Sequence, residues 1–167
     1  MPPDATIASG AAVSLADYTR PEWIVPRLRE PDTAGIIGEL SQILHRGGCV
    51  PDVLPFYQAA LNQELLTGSA LECGLAIPHA RLAGARQPGF AFGRTREPVI
   101  WGAKGPWRVQ FIFLFAVPAT DATRYLQLLS SLARIGRESA WLEDLRAAPD
   151  VAAILATLGR IPLRRER

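Results

Sequence analysis

The run Val109-Gln110-Phe111-Ile112-Phe113-Leu114-Phe115-Ala116-Val117 decides the architecture. It is almost unbroken in apolar character, rich in Phe, Ile and Val, and stops at Pro118. A strand with one wet face alternates polar and apolar residues; a continuous run of this length predicts a central strand covered on both faces. Such a strand needs packing layers above and below it, and the flanking sequence supplies them. After Pro118 the apolar positions fall into helical spacing at Tyr125, Leu128, Leu129, Leu132 and Ile135, with Asp121 placed to cap. A short helix is expected over 141–147, and Asp150 caps a last one carrying Val151, Ile154, Leu155 and Leu158, closed by Gly159. Upstream, 89–94 and 99–101 read as two short strands. Leu75-Ala76-Ile77 reads as another, ended by Pro78.

The first third of the chain adds two helices. Asp32 caps a stripe of Ile36, Ile37, Leu40, Ile43 and Leu44 that ends at Gly47-Gly48. Asp52 starts the second, with Pro55 in its first turn and an expected apolar face of Leu54, Tyr57, Leu61 and Leu65. Trp23-Ile24-Val25, between Pro21 and Pro26, reads as an edge strand, and 14–18 as one helical turn. The expected class is α/β: a sheet with helices packed on its faces.

The 167 residues suit one domain, and 49% hydrophobic with 20% charged residues is enough apolar surface for a core. The division expected is a flexible N-terminus over 1–12, a domain over 13–160 and a basic tail over 161–167 that holds Arg164, Arg165 and Arg167. Net charge is only +2, and the basic residues are otherwise scattered, which argues against a nucleic-acid surface. Cys49 and Cys73 form no CxxC pattern, and two histidines complete no zinc set, so no metal is expected. The opening Met1-Pro2-Pro3-Asp4 lacks the basic and apolar regions of a signal peptide, and no run approaches the roughly 20 apolar residues of a membrane helix. A cytoplasmic protein is expected.

Chemistry concentrates on His79, which follows a strand and a proline where the chain must change direction. Imidazole exchanges protons, or accepts a phosphoryl group, near neutral pH. His45 falls in the last turn of the first helix, where the helix dipole accounts for it. Trp101 and Trp107 flank Gly102 to Gly105 and read as a hairpin tip. Neither a GxxxxGKS/T nor a GxGxxG phosphate loop is present, nor a GxSxG elbow. Glu143 and Asp144 are adjacent on a helix and do not face each other.

Gly74-Leu75-Ala76-Ile77-Pro78-His79 resembles the phosphorylation motif of fructose/mannitol-type enzyme IIA domains of the sugar phosphotransferase system and their nitrogen-regulatory relatives. The likeness runs from about Ser14 to Gly159, supported by Glu97-Pro98-Val99, Trp101, Phe111 to Pro118 and Leu126 to Ala133. It implies an α/β sandwich around a mixed β-sheet with helices on both faces. It implies that His79 takes a phosphoryl group from the phosphocarrier HPr and passes it to a IIB domain, or signals with it to a regulatory target, without a cofactor. Glu64 would orient groups or order the loop. The chain departs from that family at three places. Gln63 stands where the family has arginine, Ser69 to Cys73 replace a Thr-Gly-rich stretch, and Tyr125, preceded by Arg124, stands where a second histidine is common. Arg81 and Arg124 are the candidates for the missing charge, since charge-assisted bonds are roughly twice as strong as neutral ones. Tyr125 is the candidate donor to His79 or to the phosphate. The alternative is a degenerate regulatory module that binds a partner protein with little or no phosphoryl transfer.

Overall fold

The computed structural model describes residues 14–83, 88–103, 107–120 and 122–163, with side chains from 125 onward in the last stretch. The expected cap Asp121, the terminus 1–12, the three terminal arginines and the side chain of Arg124 lie outside the described residues. The elements are β1 (Ile24–Val25), α1 (Thr33–Arg46), α2 (Val53–Leu66), β2 (Leu75–Ala76), β3 (His79–Leu82), β4 (Gly89–Ile100), β5 (Arg108–Pro118), α3 (Ala122–Ile135), α4 (Ser139–Ala147) and α5 (Val151–Gly159).

The sheet is mixed. Its order is β1-β4-β5-β2, and β3 continues along the β5 edge that β2 begins. β4 and β5 are antiparallel, while β1 lies parallel to β4 and both β2 and β3 lie parallel to β5. Strand β5 is central and covered on both faces, as its unbroken apolar run requires. Phe111, Phe113, Phe115 and Val117 join Phe90 and Phe92 on one face, under Leu128, Leu132, Leu145, Ile154 and Leu158 from the C-terminal helices. Ile112, Leu114 and Ala116 join Ala76, Ala80 and Ala91 on the other, where small residues leave room for Ile36, Leu40, Phe56 and Trp101.

Helix starts follow their caps: the Gly35 N–H donates to Asp32 Oδ1 at 2.8 Å and the Ala153 N–H to Asp150 Oδ1 at 2.9 Å. Asp52 precedes α2 without such a bond. Two expectations are corrected. The segments 89–94 and 99–101 are not separate strands, because β4 runs through both with a register irregularity between Arg94 and Val99. Pro98 has no N–H to give the ladder there, and the chain absorbs this as a bulge. The buried face of α2 is Phe56, Ala60 and Glu64, not the leucine stripe. Leu54 is 59% exposed and Leu65 40% exposed. Packing continues past residue 160: Ile161 is 1% exposed, and its carbonyl accepts from the Leu15 N–H at 3.1 Å. Among the described residues no helix is long and apolar enough to cross a membrane.

Candidate functional site

The proline before His79 predicts a change of direction there; His79 is instead the first residue of β3, paired with Phe115 of β5. The approach to it is built in steps. Gly74 takes φ 92°, a left-handed conformation that favours glycine, and its carbonyl accepts from the Gln110 N–H at 2.8 Å. This sets Leu75 and Ala76 against Phe111 and Ile112. The edge pairing then breaks at Ile77-Pro78, and each of those residues is pinned separately. The Ile77 N–H donates to Ser69 Oγ at 2.9 Å, and the Pro78 carbonyl accepts from the Phe115 N–H at 2.9 Å. Pairing with β5 resumes at His79.

The imidazole is held at both nitrogens. Nδ1 lies 3.0 Å from the Ile77 carbonyl, and Nε2 lies 2.5 Å from the hydroxyl of Tyr125. A carbonyl only accepts, so Nδ1 carries the proton of the neutral ring and Nε2 presents its lone pair. The Tyr125 O–H donates to that lone pair. The two rings have centroids 5.0 Å apart, tilted by 52°. Burial pushes the Tyr125 phenol above its ordinary range, partly offset by Arg81, so it remains a protonated donor at neutral pH. The Arg81 guanidinium sits over the Tyr125 ring, 5.5 Å from its centroid. Residues 79 and 81 alternate with buried Ala80 along β3, which puts the histidine and the arginine on one side of the strand.

Gln63 comes from α2 to the same place. Ala59, Gln63, His79, Ala80, Arg81 and Tyr125 line an open depression of about 410 Å³. Gln63 Nε2 donates to Thr67 Oγ1 at 3.2 Å. Of the site residues expected from the sequence, the fold therefore brings Gln63, His79, Arg81 and Tyr125 together. Arg124 lies outside the described side chains.

Glu64 points the other way and is 3% exposed. Its carboxylate receives three donors: the Ser69 N–H at 2.9 Å and Trp101 Nε1 at 2.6 Å on Oε1, and the Ser69 hydroxyl at 2.6 Å on Oε2. A buried carboxyl group is tolerated when its lone pairs are satisfied in this way. The chain of bonds continues from Ser69 Oγ to the Ile77 N–H, and from the Ile77 carbonyl to His79 Nδ1. Ser69 and Trp101 are the two residues of this support that sequence reading missed. Ser69 falls in the stretch that departs from the family pattern, and from sequence Trp101 reads as part of a hairpin tip. The hairpin is there, closed by the Trp101 N–H to the Trp107 carbonyl at 2.8 Å, but the indole of Trp101 is buried. The usable signal was a tryptophan, whose N–H needs a partner when buried, in a chain with an acidic residue on a helix.

His45 sits elsewhere, with Nδ1 2.9 Å from the Val50 carbonyl at the end of α1. Among the described residues no group of three or more His, Cys, Asp or Glu side chains could hold a metal ion.

Residues 17–160 match the family described as phosphoenolpyruvate-dependent sugar phosphotransferase system, EIIA 2. The chain is 35% identical, over 72% of its length, to the 2-O-alpha-mannosyl-D-glycerate-specific EIIABC component of that system from Escherichia coli strain K12, and spans 18% of that relative. Its fold is similar to the nitrogen regulatory protein IIA-Ntr of Neisseria meningitidis, with a TM-score of 0.77 and 29% identity, covering 86% of this chain and 98% of that one. It is also similar in fold to a chain in the complex of enzyme IIAMTL and phosphorylated enzyme IIBMTL from Escherichia coli, with a TM-score of 0.68 and 22% identity over 82% of this chain and 94% of that one.

Proposed function

This chain belongs to the phosphoenolpyruvate-dependent sugar phosphotransferase system EIIA 2 family, and from that premise we propose that Nε2 of His79 accepts a phosphoryl group from HPr and yields it to a IIB domain or signals with it. The observation that carries this reading is the bond from Nδ1 to the Ile77 carbonyl, 3.0 Å long. It fixes the tautomer and leaves Nε2 as the nucleophilic atom, directed to the side on which Tyr125 and the open depression lie.

The step balances without a metal or a nucleotide, because the donor is already an activated phosphohistidine. The Nε2 lone pair forms the new N–P bond as the donor's N–P bond breaks, and the electron pair of that bond leaves on the donor nitrogen. His79 keeps its Nδ1 proton and becomes a phosphorylated imidazolium, whose positive ring still donates to the Ile77 carbonyl. Transfers of this kind depend on positioning and on charge around the equatorial oxygens. Arg81 is the cation among the described residues lining the depression, and the Gln63 amide is a neutral donor beside it. Glu64 acts at one remove, through Ser69 and the Ile77 loop. A cytoplasmic location goes with this reading, since it requires access to HPr.

The regulatory alternative has its own support. Gln63 brings no charge, Tyr125 already occupies Nε2, and the likeness to a nitrogen regulatory protein covers nearly the whole of that chain. One experiment separates the two. The protein is incubated with phosphoenolpyruvate, enzyme I and HPr, and its intact mass is read before and after acid. An acid-labile gain of one phosphoryl group, absent from His79→Ala, is expected. A native protein that stays unlabelled with excess donor overturns the transfer reading in favour of the binding module.

A further inference from the structure

The hydroxyl of Tyr125 occupies the position that an incoming phosphorus atom must take. In-line attack brings phosphorus to about 3–3.5 Å from the nucleophile along its lone pair. Tyr125 Oη already lies 2.5 Å from Nε2, donating into that lone pair. The hydroxyl and a phosphoryl group cannot share the place. We propose that Tyr125 is a gate on His79: it holds the unphosphorylated nucleophile closed, and must swing away before Nε2 can be phosphorylated. This rests on the reading of His79 as the phosphoryl acceptor.

The surroundings suit such a gate. Tyr125 is half-buried in the first turn of α3, where its ring packs against the edge of the core while lining the open depression. A change of χ1 rotamer moves the hydroxyl off the imidazole with the backbone unchanged. Beyond packing against the core edge, the closed position is held by the bond to Nε2 and by the guanidinium of Arg81 over the ring, 5.5 Å from its centroid. Swinging the ring out releases Arg81, which lines the same depression, to face the phosphoryl oxygens. The gate therefore couples access to Nε2 with delivery of the positive charge that Gln63 does not provide. A half-buried phenol needs a hydrogen-bond partner, and here it has taken the reactive atom itself.

The test uses phosphoramidate, a small phosphoryl donor that needs no docking protein. Nε2 displaces ammonia from phosphorus, and the N–P bond electrons leave with the ammonia. Native protein, Tyr125→Phe and His79→Ala are labelled side by side, with circular dichroism confirming the fold. Removing the hydroxyl while keeping the ring should speed labelling of His79 about three- to tenfold, the net worth of one lost hydrogen bond. The ¹⁵N shift of His79 Nε2 should move in Tyr125→Phe while Nδ1 stays protonated, a signature that a packing role would not produce. Labelling that is equal or slower in Tyr125→Phe overturns the gate. If phosphorylated HPr labels none of the variants while phosphoramidate labels Tyr125→Phe faster, the gate stands and the HPr reading falls.

Discussion

Ser69 is the residue through which the buried and the open halves of the site communicate. Its hydroxyl donates to Glu64 Oε2 at 2.6 Å and accepts from the Ile77 N–H at 2.9 Å, while Ile77 holds His79 by its carbonyl. Removing that hydroxyl leaves a buried carboxylate oxygen short of a donor and the Ile77 N–H without its acceptor. A hydrogen bond to a charged group is worth about 1.5–3 kcal/mol, so Ser69→Ala should destabilise the fold by roughly that amount. Urea unfolding measures the loss, and phosphoryl acceptance by His79 should fall in parallel as the Ile77 carbonyl loosens. A variant as stable as the native protein would mean that Glu64 and the loop are not coupled. The same logic separates two neighbours on α2. Gln63 faces the depression and Glu64 the core, one residue and about 100° of helix rotation apart.

The clearest contest at the scale of the element is on α2. Two stripes of that helix have helical spacing. The leucine stripe is the more hydrophobic, yet Phe56, Ala60 and Glu64 face the sheet. The outcome follows from what each stripe meets. Phe56 and Ala60 fill the space over the small alanines of β2 to β5, and Glu64 finds the Trp101 indole and Ser69. Truncation should expose the difference. Phe56→Ala should cost about 3–5 kcal/mol, the usual range for a large aromatic side chain removed from a core. Leu54→Ala, at an exposed position, should stay within about 0.5 kcal/mol of the native protein. Equal losses in denaturant unfolding would contradict the orientation of α2. Strand β4 shows a second effect of context. Its continuity past Pro98 comes from pairing on both sides of the irregularity, Arg94 with Phe111 and Val99 with Val109. Gln110 Nε2 donates to the Thr95 carbonyl at 3.2 Å across the gap.

The stability of the whole molecule carries a titration far from the site. Burial pushes the Cys49 thiol from an ordinary 9.0 up to about 11, with Arg20 opposing the rise. A raised folded value means that the unfolded chain loses its proton first. The contribution is fully present below about 9 and is lost as pH rises toward about 11. A tenfold change in proton affinity is worth about 1.4 kcal/mol, and partial exposure of the thiol brings the total to about 2 kcal/mol or less. The native protein should therefore lose more stability than Cys49→Ala between those two pH values, read as the difference in urea midpoints. Parallel losses in the two proteins would remove Cys49 as the cause. The fold also joins the two ends of the described stretch. Leu15, near the start of the described chain, bonds Ile161 near its end, and both are buried in the layer under α5.

Sequence alone determined the sandwich and singled out His79. The unbroken apolar run of β5 demanded cover on both faces, capped helical stripes supplied that cover, and Gly74 to His79 carried the family motif. The strand and the helices are local signals, set by backbone geometry and by the period of apolar side chains, while the motif rests on family resemblance. Tertiary structure decided what depends on residues far apart in the chain. It chose the polar-looking stripe of α2 over the leucines, because Trp101 and Ser69 wait there to satisfy Glu64. It put the Tyr125 hydroxyl, 46 positions from His79 in the chain, 2.5 Å from Nε2 of the imidazole. Spacing along a helix or strand says which side chains share a face, but not which distant donor that face will meet. A buried polar group is acceptable only when that partner arrives, and only the folded chain brings the two together.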